Sequence, residues 1–168
     1  YTGAVRKIKE IIQSGDLGEV LYFDSVRVNL GLFQQDVNVV WDLAPHDLSI
    51  IDYIVDEKPD HVSVHGMSHA GNGLENIAYI SLRFKSQFIA HIHVNWLSPV
   101  KVRKTMIAGS DQMLVWDDLD QAEVIKIYDK GINAKISERE EKRQLLISYR
   151  SGDMCAPRIE QTEALSLM

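Results

Sequence analysis

Residues 77–96 read IAYISLRFKSQFIAHIHVNW, and this stretch decides the architecture. Two runs with alternating apolar and polar positions, Ile77–Phe84 and Phe88–Trp96, are separated only by Lys85-Ser86-Gln87. A period of two places alternate side chains on opposite faces of a strand. A link this short folds one strand back against its neighbour, because a parallel pair needs a long crossover. The pattern continues outward. Val100–Ala108, Met113–Trp116, Val124–Tyr128 and Leu145–Tyr149 read as further strands, with a turn at Gly109-Ser110-Asp111. On the N-terminal side, His61–Met67 reads as a strand leading into the turn Ala70-Gly71-Asn72-Gly73. The segment Ser137–Arg143 (SEREEKR) is charged at nearly every position and reads as a solvated loop or helix end.

Upstream, the period changes. Val5, Ile8 and Ile12 fall on one face of a helix expected over Thr2–Ser14, and Gly15 suits a helix end that needs positive φ. From Gly18 to Asn29 the period returns to two, with Leu21, Phe23, Ser25, Arg27 and Asn29 on one side. A polar loop, Gly31 to Val40, leads to a second helix over Ala44–Val55, with Pro45 in its first turn and Leu48, Ile51 and Val55 as its buried stripe. Ile159 to Met168 reads as the opening of another helix. The expected class is α+β: a large, predominantly antiparallel, open-faced sheet with two to three helices on one face. Residues 1–168 are expected to form a single domain, cut at both ends, since the chain opens on Tyr1 and closes in an unfinished helix.

Composition narrows the function. A net charge of −6 argues against a nucleic-acid surface, which needs a basic patch. No apolar run approaches the roughly 20 residues that cross a bilayer, and the first residues lack a signal-peptide pattern. A single cysteine, Cys155, fits a reducing cytoplasm.

The segment with chemical potential is Trp41-Asp42-Leu43-Ala44-Pro45-His46-Asp47. A carboxylate and an imidazole four residues apart share one helix face. Imidazole is the usual group for taking a proton from an alcohol, and Asp42 could fix the ring by accepting its other N–H. The competing reading makes Asp42 a helix cap and His46 an ordinary first-turn residue. Arg27 and Asn29, on one strand face just before this segment, are candidate substrate contacts: Arg27 for a carboxylate or diphosphate, Asn29 for hydroxyls. A solvated strand end is the other reading of that pair. Asn38 is a further candidate in the same loop, and Arg150, in the loop-like Arg-Ser-Gly-Asp run, could reach a phosphate.

Other histidines are weaker candidates. His61, His65 and His69 recur every four residues, but the intervening Val62-Ser63-Val64 reads as strand and no Cys or carboxylate completes a metal set. His91 and His93 share a strand face with Asn95, which reads as a polar subunit-contact face; no metal is expected at either place. There is no G-x-G-x-x-G after a strand and no G-x-x-x-x-G-K-S/T.

Gly15-Asp16-Leu17-Gly18-Glu19-Val20 at a helix end, then a strand, a loop, Asp42-x-x-x-His46 and a run of long strands resemble the C-terminal domain of the glucose–fructose oxidoreductase/inositol dehydrogenase/MocA (Gfo/Idh/MocA) oxidoreductases. The likeness runs from residue 1 to about 131. Within that family the chain is most similar to nucleotide-sugar members of the UDP-N-acetylglucosamine 3-dehydrogenase type. The similarity lies in Arg27-Val28-Asn29-Leu30-Gly31, Trp41 to Asp47, Asn95-Trp96-Leu97-Ser98-Pro99 with Lys101, Arg103 and Lys104, and Tyr149-Arg150-Ser151-Gly152-Asp153.

The resemblance implies a preceding Rossmann domain that binds NAD or NADP and carries the catalytic Lys of a Glu-Lys-Pro motif. The Glu57-Lys58-Pro59 here follows the His46 helix and reads as a turn. The resemblance further implies His46 as acid/base, Asp42 as its supporting carboxylate, Trp41 beside the cofactor, a sugar or nucleotide-sugar substrate, and a homo-dimer or homo-tetramer formed through the open sheet face. Rival readings are a non-catalytic sheet-forming dimerisation or binding module, a metal-binding sheet protein, and a reductase acting on a non-sugar ligand such as biliverdin.

Overall fold

The structure, a computed structural model, describes residues 1–31, 34, 36–137, 144–157 and 159, with backbone alone for 130–137 and 144–151. In chain order the elements are α1 (Gly3–Ser14), β1 (Val20–Leu30), α2 (Val39–Ile54), β2 (His61–Met67), β3 (Ile77–Arg83), β4 (Ile89–Asn95), β5 (Leu97–Gly109), β6 (Met113–Asp117), β7 (Ile125–Ser137) and β8 (Gln144–Cys155). The strands form one eight-stranded sheet in the order β2-β3-β4-β1-β5-β6-β7-β8. Every pairing is antiparallel except β1 with β4, where Tyr22 to Val28 run alongside Ile89 to Asn95. That parallel pair follows from connectivity. The chain leaves β1 through α2 and returns by the hairpins β2-β3 and β3-β4, so the last of these strands is laid beside β1 in the same direction.

The helices cover one face of the sheet, as expected for the α+β class. Phe23, Ala78, Ile80, Leu82, Ala90, Ile92, Val94, Ile107, Leu114 and Trp116 point into the core, where they meet Val5, Ile8 and Ile11 of α1 and Val39, Ala44, Ile50, Ile51 and Ile54 of α2. The opposite face carries Tyr79, His91, His93 and Asp24 and has no covering layer among the described residues.

The Gly-Asp-Leu-Gly motif is a joint between α1 and the sheet. Gly15 takes φ +80° and its amide donates to Ile12 O at 3.2 Å, closing the helix as a left-handed cap. Leu17 is fully buried, and its carbonyl accepts from the amides of Asp111 (3.0 Å) and Gln112 (3.4 Å) at the β5–β6 turn. This approach is so close that a Cβ on Gly109 would lie 1.9 Å from Leu17 O.

Helix α2 departs most from expectation. It begins at Val39, five residues before the expected Ala44, because the Asn38 side chain caps it by accepting from Trp41 N at 3.1 Å. Trp41 and Asp42 are therefore helical, and Pro45 sits inside the helix, where it offers no N–H to the carbonyl of Trp41. The buried stripe is Val39, Ala44, Asp47, Ile50, Ile51 and Ile54; of the expected Leu48, Ile51 and Val55, Ile51 belongs to it, while Leu48 is exposed and Val55 is the C-cap. A carboxylate in the middle of the stripe hides the apolar period. In α1, Thr2 is the cap and Ile11 is more deeply buried than Ile12.

β5, β7 and β8 are longer than their apolar cores suggest, and the loop expected at Arg150–Asp153 is part of β8. Of the loop expected at Ser137–Arg143, Ser137 ends β7 and the rest lies outside the described residues, as does the helix expected at Ile159–Met168 beyond Ile159. No described helix is long and apolar enough to cross a membrane.

Candidate functional site

Asp47 organises the site. Its carboxylate is 0% exposed, accepts from Ser25 Oγ (2.9 Å) and from Arg27 Nε (3.0 Å) and Nη2 (3.3 Å), and so ties α2 to β1. A buried charge is tolerated only when paired and hydrogen-bonded in this way. The preceding residue, His46, is exposed and stands on the wall of a cleft of about 280 Å³ between α1, α2 and the β1-β5-β6 part of the sheet. Arg27, Leu43, Arg103, Trp116 and Asp118 also line it. Arg27 and Arg103 are directly opposed across β1 and β5 and therefore share the helix-side face.

The structure thus brings two of the sequence candidates, His46 and Arg27, into one cleft. The other candidates lie elsewhere. Asp42 Oδ2 accepts from Trp96 Nε1 at 2.9 Å, and among the described residues it takes no hydrogen bond from His46. Asn38 is the α2 cap, and its Nδ2 donates to Glu75 Oε2 at 2.8 Å, which holds the Glu75 carboxyl below its ordinary range. Asn29 is half-buried where the β1–β5 register shifts, between Val28 and Leu30, and does not line the cleft. Trp41 is 74% exposed in the first turn of α2. Arg150 lies in β8 opposite Gly131, and its side chain is outside the described residues.

Sequence reasoning missed Asp47 as an anchor and Arg103, Trp116 and Asp118 as walls of the cleft. Asp47 was visible as the neighbour of His46. The other three depend on the β1-β5-β6 register, for which the chain carries no local signal. Trp116 is 4% exposed and its Nε1 has no acceptor among the described residues.

The remaining histidines do not line the cleft. His61 and His65 lie on β2, and His69, past its end, pairs with Asn76. His91 Nδ1 is 3.2 Å from Asp24 Oδ1, and His93 stacks on Tyr79 at 4.4 Å on the open face. Lys58 of the Glu57-Lys58-Pro59 turn pairs with Asp52, and Glu57 accepts from Lys85 N. A second hollow, about 470 Å³ and mainly apolar, lies between α2 and β2-β3 and has Leu48, Val62 and Val64 in its walls.

The chain is thus an open sheet backed by two helices, with an imidazole and two guanidiniums in one cleft. Residues 5–115 match the GFO/IDH/MocA C-terminal domain, and the chain belongs to that family. A search of curated proteins finds no match. Among solved structures, the UDP-N-acetylglucosamine 3-dehydrogenase of Acidithiobacillus ferrooxidans is similar over 98% of this chain and 48% of its own, at 16% identity and a TM-score of 0.67. An inositol dehydrogenase homologue from Azotobacter vinelandii, in complex with NADH and myo-inositol, covers 89% of this chain and 39% of its own, at 13% identity and a TM-score of 0.66. The WlbA dehydrogenase of Bordetella pertussis, in complex with NADH and UDP-GlcNAcA, covers 67% and 37%, at 15% identity and a TM-score of 0.59. The chain thus spans half or less of the length of these structures, and identities this low carry the fold alone.

Proposed function

We propose that this domain supplies the acid/base and substrate-binding side of an NAD- or NADP-dependent dehydrogenase that oxidises a hydroxyl of a sugar or nucleotide sugar. The observation that carries this reading is the position of His46: exposed on a cleft wall, next to a residue fixed by a buried ion pair, and in a cleft that Arg27 also lines. A nicotinamide ring, when bound, would accept hydride from the sugar carbon. The O–H proton of the same alcohol would pass to a ring nitrogen of His46, leaving a carbonyl. Asp42, one turn earlier, has Oδ2 anchored by Trp96. Its Oδ1 would accept the second N–H of the imidazole and hold its tautomer. The exposed indole of Trp41 fits a flat contact with the cofactor. The described residues show no glycine-rich turn between a strand and a helix to cradle a diphosphate, so a separate Rossmann domain would hold the dinucleotide. Asn29, Asn38 and Arg150 remain candidate contacts for the more distant parts of a nucleotide sugar. The open sheet face, with Tyr79, His91 and His93, would join copies into a dimer or tetramer, and the reducing cytoplasm suits the exposed, free Cys155.

Two measurements test this. The whole enzyme should reduce NAD or NADP in the presence of a sugar or nucleotide sugar and release the keto product. Titration of the present chain alone with NADH should give no micromolar binding; tight binding would contradict a cofactor site held in another domain.

A further inference from the structure

The cleft that His46 lines is rich in donors. Arg27 spends Nε and Nη2 on Asp47, and among the described residues Nη1 has no hydrogen-bond partner. Arg103 is 37% exposed; among the described residues its ion-pair partner is Asp118, with Nη1 3.5 Å from Oδ2, longer than a well-formed charge-assisted hydrogen bond. Among the described residues no hydrogen bond engages its N–H groups. Trp116, on β6 beyond Arg103, also lines the cleft. Two like charges opposed across neighbouring strands repel each other, which an anion placed between them would relieve.

From these contacts we infer that Arg103, with Arg27, binds an anionic substituent, a carboxylate or a phosphate, of the sugar whose hydroxyl faces His46. Arg103 is the residue that sets specificity, because Arg27 is fixed by Asp47 whether or not a ligand is present. A guanidinium suits both acids through paired N–H groups. A cleft of about 280 Å³ has room for one sugar ring and its acid group. Asp118 is the competitor that holds Arg103 when the cleft is empty. This inference rests on the proposed function for the identity of the ligand as a sugar.

Calorimetric titration of the full-length enzyme with glucuronate, glucose 6-phosphate and glucose tests it. At least one of the two acids should bind about tenfold or more tighter than glucose, and the tighter acid identifies the source of the charge. Arg103→Met should remove the preference, a loss of about 10- to 100-fold in affinity for the acid, with glucose affected less than twofold. Arg103→Lys should keep part of it, and Asp118→Asn, which frees Arg103, should strengthen acid binding. Equal affinity for all three probes, no binding of either acid at millimolar concentration, or an acid preference that survives Arg103→Met would overturn the inference. Turnover distinguishes the two readings. Acid preference without sugar oxidation would sink the proposed function alone, and sugar oxidation without acid preference would sink the anion site alone.

Discussion

Arg27 Nε lies 3.0 Å from Asp47 Oδ2, and this ion pair joins the strand that lines the cleft to the helix that carries His46. The acid is fully buried and the base 11% exposed, so neither can be solvated if its partner is removed. Asp47→Ala should therefore destabilise the domain by about 3–5 kcal/mol in urea or thermal unfolding, since it leaves a nearly buried guanidinium and the Ser25 hydroxyl unpaired. A loss below about 1 kcal/mol would mean that the pair is not holding the layers together.

Asn38 caps α2 through its Oδ1 and reaches Glu75 through its Nδ2. Asn38→Ala should cost about 1 kcal/mol, within a range of roughly 0.5–2, while Asn38→Ser should recover most of that loss because its hydroxyl can still accept from the α2 backbone. Comparison of urea midpoints for the two variants checks this. Equal losses would locate the effect in the Glu75 contact instead.

Gly109 lies against the backbone of Leu17, where an added Cβ would meet the carbonyl oxygen at 1.9 Å. Backbone atoms cannot rotate aside as a side chain can. Gly109→Ala should therefore cost about 1–3 kcal/mol or more and lower the melting temperature. Gly15→Ala meets no atom within 4 Å but must adopt φ +80°, so its cost should be purely conformational and about 1 kcal/mol.

On the open face, His93 is half-buried against Tyr79, and burial first, then the nearby His91, push its pKa below the ordinary histidine value, with Asp24 opposing. A folded-state pKa below the unfolded 6.5 means that the unfolded chain takes up the proton more readily. Stability attributable to this group is thus complete above pH 6.5 and falls as the pH drops through that value toward the lowered one. Urea midpoints of the wild type should decline between pH 7.5 and 5.5, and the decline should be shallower in His93→Gln. A parallel decline in both proteins would assign the slope to other groups.

The sheet is legible in the sequence because its strands alternate and their turns are short. Ala78, Ile80 and Leu82 against Tyr79, Ser81 and Arg83 leave little room for another reading. The parallel β1–β4 pair is not legible, since it depends on where two successive hairpins come to rest. The start of α2 is hidden for a local reason. Pro45 marks a conventional first turn, while the actual cap, Asn38, is a single residue in a polar stretch. At the site, His46 and Arg27 can be named from residue type and order, but their shared cleft cannot. Arg103 and Trp116 reach it only through strand register, and Asp42 finds an indole more than 50 residues away in place of the imidazole one turn along its own helix.

The role of His46 is tested most directly by steady-state turnover of the full-length enzyme carrying His46→Ala. If the imidazole takes the alcohol proton, kcat should fall by about 10²- to 10⁴-fold, the dependence of kcat on pH should change, and NADH affinity should stay within about twofold. Near-normal kcat in a folded His46→Ala enzyme would contradict that role and leave the cleft as a binding site alone.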